Sequence, residues 1–224
     1  LDRGELFLEY QPVVALATRE IIGAEALLRW LHPQRGRIPP DVFIPLAEET
    51  GLMPRIGEWV LRTACQQAGQ WPRTAHAPGH VAINLSAVQL RDEAFIQQVA
   101  SALQDGGLDP GALVLELTET GLLADPDLAH RQFATMRQMG IRLAIDDFGI
   151  GYSSLSMVSS LPFDILKLDR SFVSGDNAMK TGMQRTILDM ANHLALDVVA
   201  EGIETAEQHA LLHESHCRWG QGYW

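Results

Sequence analysis

The chain of 224 residues carries 17 Lys and Arg against 28 Asp and Glu, a formal net charge of −11, and 46% of its residues are hydrophobic. That surplus of acid argues against broad electrostatic binding to polymeric nucleic acid or to an anionic membrane, and the apolar content argues against disorder. Cys65 and Cys217 form no CxxC pair, so neither a thiolate zinc site nor a disulfide framework is indicated, and a reducing cytoplasm fits best.

Leu6 to Val14 and Glu20 to Leu28 read as two strands joined closely enough to form an antiparallel hairpin. The Pro/Gly-rich stretch from Pro33 to Pro40 reads as a loop, after which Asp41 is expected to cap a helix running to Glu49 and ended by Gly51. A second helical pattern covers Ile56 to Gln70. From His80 on, short apolar strands alternate with amphipathic helices, the mark of parallel βα units. Strands are expected over residues 81–86, 112–118, 142–146, 164–169 and 197–201, with a last one beginning near Trp219. The helices between them centre on 95–103, 128–139, 153–160, 179–194 and 206–213. Eight strands in this length fit an α/β fold of the TIM-like (β/α)8 type, with the opening hairpin as a departure from the all-parallel form. A doubly wound open sheet is the rival, but it places its ligand at one switch point and does not recruit every strand end.

No Pro/Ser-rich linker divides the chain, so residues 1–224 read as one domain. It starts without methionine and stops in a strand, as a piece of a longer protein would. No apolar run reaches the roughly 18 residues of a membrane span, and no leader is recognisable, so this segment is expected to make no membrane contact even where a parent protein is membrane-anchored.

The strand ends carry the chemistry. Strand side chains alternate, so each strand presents an apolar row to the helices and one polar inward residue near its end. Glu25, Asn84, Glu116, Asp146, Lys167 and Glu201 would then converge on one mouth. Several carboxylates buried together need cations to offset their repulsion, and oxygen ligands without a Cys or His cage suit Mg²⁺ or Mn²⁺. Asp146 and Asp147 beside Glu201 could hold a second ion about 3.5–4 Å from the first, the spacing used to activate water for in-line displacement at phosphorus. Lys167 would face the attacking water or the phosphate, and Arg29 would offer a fork to two phosphate oxygens.

The motifs E25-A26-L27 with Leu28 and Arg29, N84-L-S86, E116-L-T-E119, D146-D-F-G-I-G-Y-S-S-L155, K167-L-D169, E201-G-I-E204 and Q221-G-Y223 resemble, in this order, those of the EAL-domain cyclic di-GMP phosphodiesterases. The resemblance covers essentially the whole chain. It implies a barrel with one antiparallel strand, hydrolysis of cyclic di-GMP to linear pGpG, and two Mg²⁺ or Mn²⁺ ions, with Ca²⁺ inhibitory. Carried over by position, it makes Glu25, Asn84, Glu116 and Asp146 ligands of one ion, with Asp146, Asp147 and Glu201 serving the second. Lys167 and Gln221 would position the hydrolytic water, and Glu119 would steady the loop after Asp147. Gln11 and Arg29 would line the substrate, together with Asp147, while Glu204 would be an acid behind the metal ligands on the substrate side. A homodimer and regulatory domains in the parent chain are further implications. One departure is Ile150, where relatives usually have a small or hydroxyl-bearing residue; another is the end of the chain three residues after Gln221.

Competing readings fail on context. Asp147-Phe148-Gly149 lacks the Gly-rich loop and HRD segment of a kinase, and Gly149-Ile150-Gly151 lacks the third glycine of a dinucleotide fingerprint. The helical spacing of His209, His213 and His216 could suit Zn²⁺, but a solvated helix face explains it as well. A proton-abstracting barrel of the enolase type would need a capping domain. A catalytically silent module of the same family, binding cyclic di-GMP or a partner as a receptor, would be expected to have lost a ligand or the lysine, and here none is missing.

Overall fold

A computed structural model describes residues 3–72, 74, 77–123, 125–149, 160–173 and 178–224. The chain opens with β1 (Leu6–Ala15) and β2 (Ile21–His32), an antiparallel pair in which Gln11 lies opposite Glu25. The parallel strands are β4 (Val81–Asn84), β5 (Leu113–Thr118), β6 (Arg142–Phe148), β7 (Ile165–Leu168), β8 (Asp197–Ile203) and β9 (Trp219–Gly222). Neighbours run β1, β9, β8, β7, β6, β5, β4, β2, and the β1–β2 pairing closes the circle. Only β1 runs against both its barrel neighbours, so the TIM-like barrel with one antiparallel strand is as the sequence led us to expect.

The stretch expected as a loop between Pro33 and Pro40 contains a short strand, β3 (Gly36–Ile38), which pairs with the far end of β2. Its partner is a tertiary neighbour, so local sequence did not reveal it. Helix α1 (Pro40–Glu49) starts at Pro40, whose fixed φ and missing N–H suit a first helical position; Asp41 therefore sits in the first turn instead of capping it. Gly51, with φ +71°, follows the end of that helix, and α2 (Met53–Gly69) covers the second helical pattern.

Beyond β4, Ser86 opens α3 (Ala87–Leu90) with a capping box, its hydroxyl accepting from Val88 N while Gln89 reaches back to the Ser86 N–H. The expected strand thus stops at Asn84. The later helices are α4 (Phe95–Gly106), α5 (Glu119–Leu123), α6 (Pro126–Gln138), α7 (Ala178–His193) and α8 (Ala206–Glu214). The short α3 and α5 leave the strands abruptly and were not anticipated. Ile150 and the helix expected over 153–160, except its last residue, lie outside the described residues. No helix among the described residues is long and apolar enough to cross a membrane.

Two cores follow from the strand alternation. Outward rows such as Leu113, Leu115 and Leu117, or Leu143 and Ile145, pack beneath the helices. Inside the barrel Val13, Ala82, Val114, Ala144, Ile165 and Val199 form a separate apolar layer, with Ile22 and Trp219 at its margin. His80, which precedes β4, packs beside Trp219 and against Gly23. A Cβ at position 23 would fall 2.2 Å from the imidazole, so only glycine leaves room for that ring.

Candidate active site

Two residues beyond the apolar layer, each barrel strand presents its next inward side chain, and these are Gln11, Glu25, Asn84, Glu116, Asp146, Lys167, Glu201 and Gln221. In the parallel strands this is the C-terminal end, where barrel enzymes place their chemistry. Lys167 stands at the centre and is only 2% exposed. Its ammonium lies 2.7 Å from Glu116 Oε2, 2.8 Å from Glu201 Oε1, 3.1 Å from Glu25 Oε2 and 3.3 Å from Asp146 Oδ1.

The carboxylates are fixed from behind. Asn84 Nδ2 donates to Glu25 Oε1 at 2.6 Å, and Gln221 Nε2 donates both to Glu25 Oε2 at 2.8 Å and to Glu201 Oε1 at 3.0 Å. Asp146 Oδ1 accepts the N–H of Asp147 at 2.9 Å. That bond accompanies a left-handed turn: Asp147 has φ +54° and Gly149 φ +99°. A Cβ at Gly149 would meet the Phe172 ring at 2.7 Å, so glycine is required for the turn that separates the two aspartates.

Five carboxylates face one ammonium, and their protonation reflects the imbalance. Burial pushes Glu116 well above the ordinary carboxylate range, the nearby charges of Glu25 and Asp146 adding to it against the pull of Lys167. Burial also lifts Glu201, to about 7, with Asp146 adding to it. Asp147 is raised by burial and by Asp146 and Asp169. Burial acts against Glu25 too, but Lys167, Gln221 and Asn84 outweigh it and lower its pKa. For Lys167, burial is more than offset by Glu116, Glu25, Asp146 and Glu201, so it stays charged far above neutrality.

A deficit of positive charge is what a divalent cation would relieve. Asp146, Asp147 and Glu201 each offer an oxygen, all within 4.8 Å of one another, the one group of this kind among the described residues. Gln221 Oε1 is buried and has no hydrogen-bond partner among the described residues, so a further acceptor faces the same space. An all-oxygen donor set of this kind fits Mg²⁺ or Mn²⁺. Of the three histidines only His209 and His213 lie on α8, His216 following its end with φ +61°, and they form no such group among the described residues: His209 bonds the Leu16 carbonyl at 2.9 Å and packs on Trp224.

The other anticipated residues lie around this centre. Arg29 holds Glu9 at 2.7 Å, and Glu9 also takes Arg37, so one edge of the Arg29 guanidinium is anchored. Gln11 is half-buried opposite Glu25, and Glu119 is buried at the first position of α5. Glu204 is exposed beyond β8, its N–H bonded to Gln208 Oε1, and it joins none of the hydrogen bonds described for the acidic centre. Sequence reasoning missed Glu9, and it missed a cleft of about 580 Å³ beside Asn84, whose walls include Arg29, Glu48, Ser86 and Thr118. Arg29, Ser86 and Thr118 stand in motifs quoted above, but Glu48 had no local signal.

The model of a family described as the EAL domain matches residues 1–224. An uncharacterised signalling protein of Caulobacter vibrioides is 44% identical over 224 residues, covering 98% of this chain and 27% of that protein. The cyclic di-GMP phosphodiesterase NbdA of Pseudomonas aeruginosa is 43% identical over 229 residues, covering 100% of this chain and 29% of that protein. Among solved structures, the PaMucR phosphodiesterase in complex with c-di-GMP superposes with a TM-score of 0.93 at 41% identity, covering 99% of this chain and 90% of that one. The chain thus spans under a third of the length of these two curated relatives.

Proposed function

The chain belongs to the EAL domain family, and from that membership we propose that it is a metal-dependent phosphodiesterase hydrolysing cyclic di-GMP to linear pGpG. The observation that carries the proposal is the polar layer at the strand ends, where Lys167 lies within 3.3 Å of four carboxylates and Asp147 stands beside them. Glu25, Asn84, Glu116 and Asp146 would hold one Mg²⁺ or Mn²⁺ ion, and Asp146, Asp147 and Glu201 a second. Divalent cations bound there would supply Lewis-acid charge for the scissile phosphate and its nucleophile.

The chain's own groups do the rest. Asn84 and Gln221 fix the two oxygens of Glu25, so that carboxylate costs little reorganisation when it acts. Lys167 remains an ammonium and orients the attacking water while offsetting charge on the phosphate. Gln221 spans Glu25 and Glu201 and sets the spacing of the two halves of the site. Arg29, steadied by Glu9, meets a phosphate oxygen pair, while Gln11 and Glu204 face the nucleotide and Glu119 supports the turn after Asp147. Water adds to phosphorus, the bond to the 3′-oxygen breaks, and that oxygen leaves with a proton, giving a linear dinucleotide that keeps its 5′-phosphate.

The proposal extends to residues 1–224 as one catalytic domain of a longer signalling protein in the cytoplasm, regulated by other domains and working as a homodimer, with Ca²⁺ supporting binding but not turnover. Glu25→Ala is the sharpest test of the ligand assignment. It should reduce pGpG formation at least a hundredfold by removing a carboxylate on which Asn84, Lys167 and Gln221 converge. Near-normal hydrolysis by that variant would overturn the assignment.

A further inference from the structure

Three charged side chains from three strands join at the rim beyond the acidic centre. Glu9 lies two residues past Gln11 on β1, and Arg29 four past Glu25 on β2, so the period of two sets both on the inward rows that carry the site. Arg37 on β3 stands opposite Leu31, one step further out on the same face. Glu9 links the other two. Its Oε2 accepts from Arg29 Nε at 2.7 Å and its Oε1 from Arg37 Nη2 at 2.8 Å, so each oxygen takes one guanidinium. The hydrogen bond from Arg29, with that from Arg37 and the charges of both, holds the Glu9 carboxyl below the usual carboxylate range. Arg37 has a second support, the Phe7 ring beneath it at 5.8 Å.

The inner end of this series is Arg29, whose side chain is 20% exposed against 59% for Arg37. Its Nη1 also donates to the Leu28 carbonyl at 3.1 Å. With Nε taken by Glu9, the hydrogens left for a phosphate are those at the tip of the fork. An unheld arginine would lose rotamer freedom when it met a ligand; here that ordering is done beforehand.

We infer that Glu9 and Arg37 are positioning residues for substrate binding: Arg37 fixes Glu9, Glu9 fixes Arg29, and neither of the first two touches the nucleotide. The inference rests on the phosphodiesterase reading and deepens it, and it gives the short strand β3 a part in affinity. Action by charge alone has a different signature. Toward an anionic ligand, loss of the Glu9 carboxylate would then strengthen binding and loss of the Arg37 cation would weaken it. Positioning makes both losses weaken it.

Steady-state hydrolysis of cyclic di-GMP in Mg²⁺ should be compared for the parent chain, Glu9→Ala, Arg37→Ala and the double variant. Glu9→Ala should raise KM about three- to tenfold and Arg37→Ala about two- to fivefold, with kcat within about twofold of the parent. The double variant should be no worse than Glu9→Ala, because Arg37 then has nothing left to act through. For the same reason Glu9→Ala should add nothing in an Arg29→Ala background. A KM that falls or stays unchanged in Glu9→Ala, additive losses in the double variant, or a loss confined to kcat would each overturn the inference, while pGpG formation by the parent would leave the phosphodiesterase standing. Absence of turnover in the parent would overturn both.

Discussion

Two consecutive layers inside one barrel have opposite character. The lower consists of Val13, Ala82, Val114, Ala144, Ile165 and Val199, every one buried and apolar. The upper, two residues along each strand, consists of Gln11, Glu25, Asn84, Glu116, Asp146, Lys167, Glu201 and Gln221. The backbone geometry is the same, so the contrast lies wholly in the side chains. The lower layer gains from leaving water. The upper layer has groups that burial disfavours and that are tolerated because Lys167 and a web of amide donors hold them. The fold bears the cost of the upper layer where the strands open toward ligand, and recovers stability immediately beneath.

Substitutions that exchange the character of the two layers should therefore differ in kind. The largest expected effect is that of Lys167→Met. With the ammonium gone, Glu25, Glu116, Asp146 and Glu201 lose their common partner, and a broken buried ion pair typically costs about 3–5 kcal/mol. Urea unfolding in chelator should show that loss together with loss of turnover, and added Mg²⁺ should restore part of the stability but not the activity. Unchanged stability in chelator would mean that the carboxylates do not depend on the lysine.

Next in size is the acid sensitivity of the barrel floor. Burial, aided by the charge of Arg142, lowers His80 to about 4 from 6.5 despite the hydrogen bond its ring donates to the Ile22 carbonyl. The unfolded chain then takes up a proton that the folded chain refuses between those values, so stability is fully present above pH 6.5 and declines as pH falls toward 4. At about 1.4 kcal/mol per pH unit the decline from this one group approaches about 3 kcal/mol. Denaturation of parent and His80→Asn across that range should show the parent's slope reduced in the variant; identical slopes would relocate the acid sensitivity elsewhere. The smallest expected effect is Ile165→Val in the lower layer, which should cost about 0.5–1.5 kcal/mol and leave turnover unchanged. A marked fall in kcat from that change would show that the two layers are not separable.

What the sequence could show follows from the same geometry. The period of two marks inward positions without knowledge of neighbours, so the strand-end acids, Lys167 and the barrel were legible in single strands taken together. Features made by distant partners were not. β3 needs the far end of β2, Arg29 is anchored by Glu9 across the hairpin, and Glu48 on α1 meets Ser86, the cap of α3, across 38 residues of chain. The left-handed turn at Asp147 is of this type as well, since Phe172 from the segment after β7 decides that position 149 must be glycine. His80 gave no sequence signal because its role is set by the missing side chain at Gly23.

The most direct measurement is hydrolysis of cyclic di-GMP by the purified chain in Mg²⁺, in Mn²⁺ and in chelator, with binding followed in parallel in Ca²⁺. Formation of pGpG that requires the metal and stops with chelator is the predicted result. Tight binding in Ca²⁺ without turnover in either metal, at any protein concentration, would contradict it and make the upper layer a receptor site.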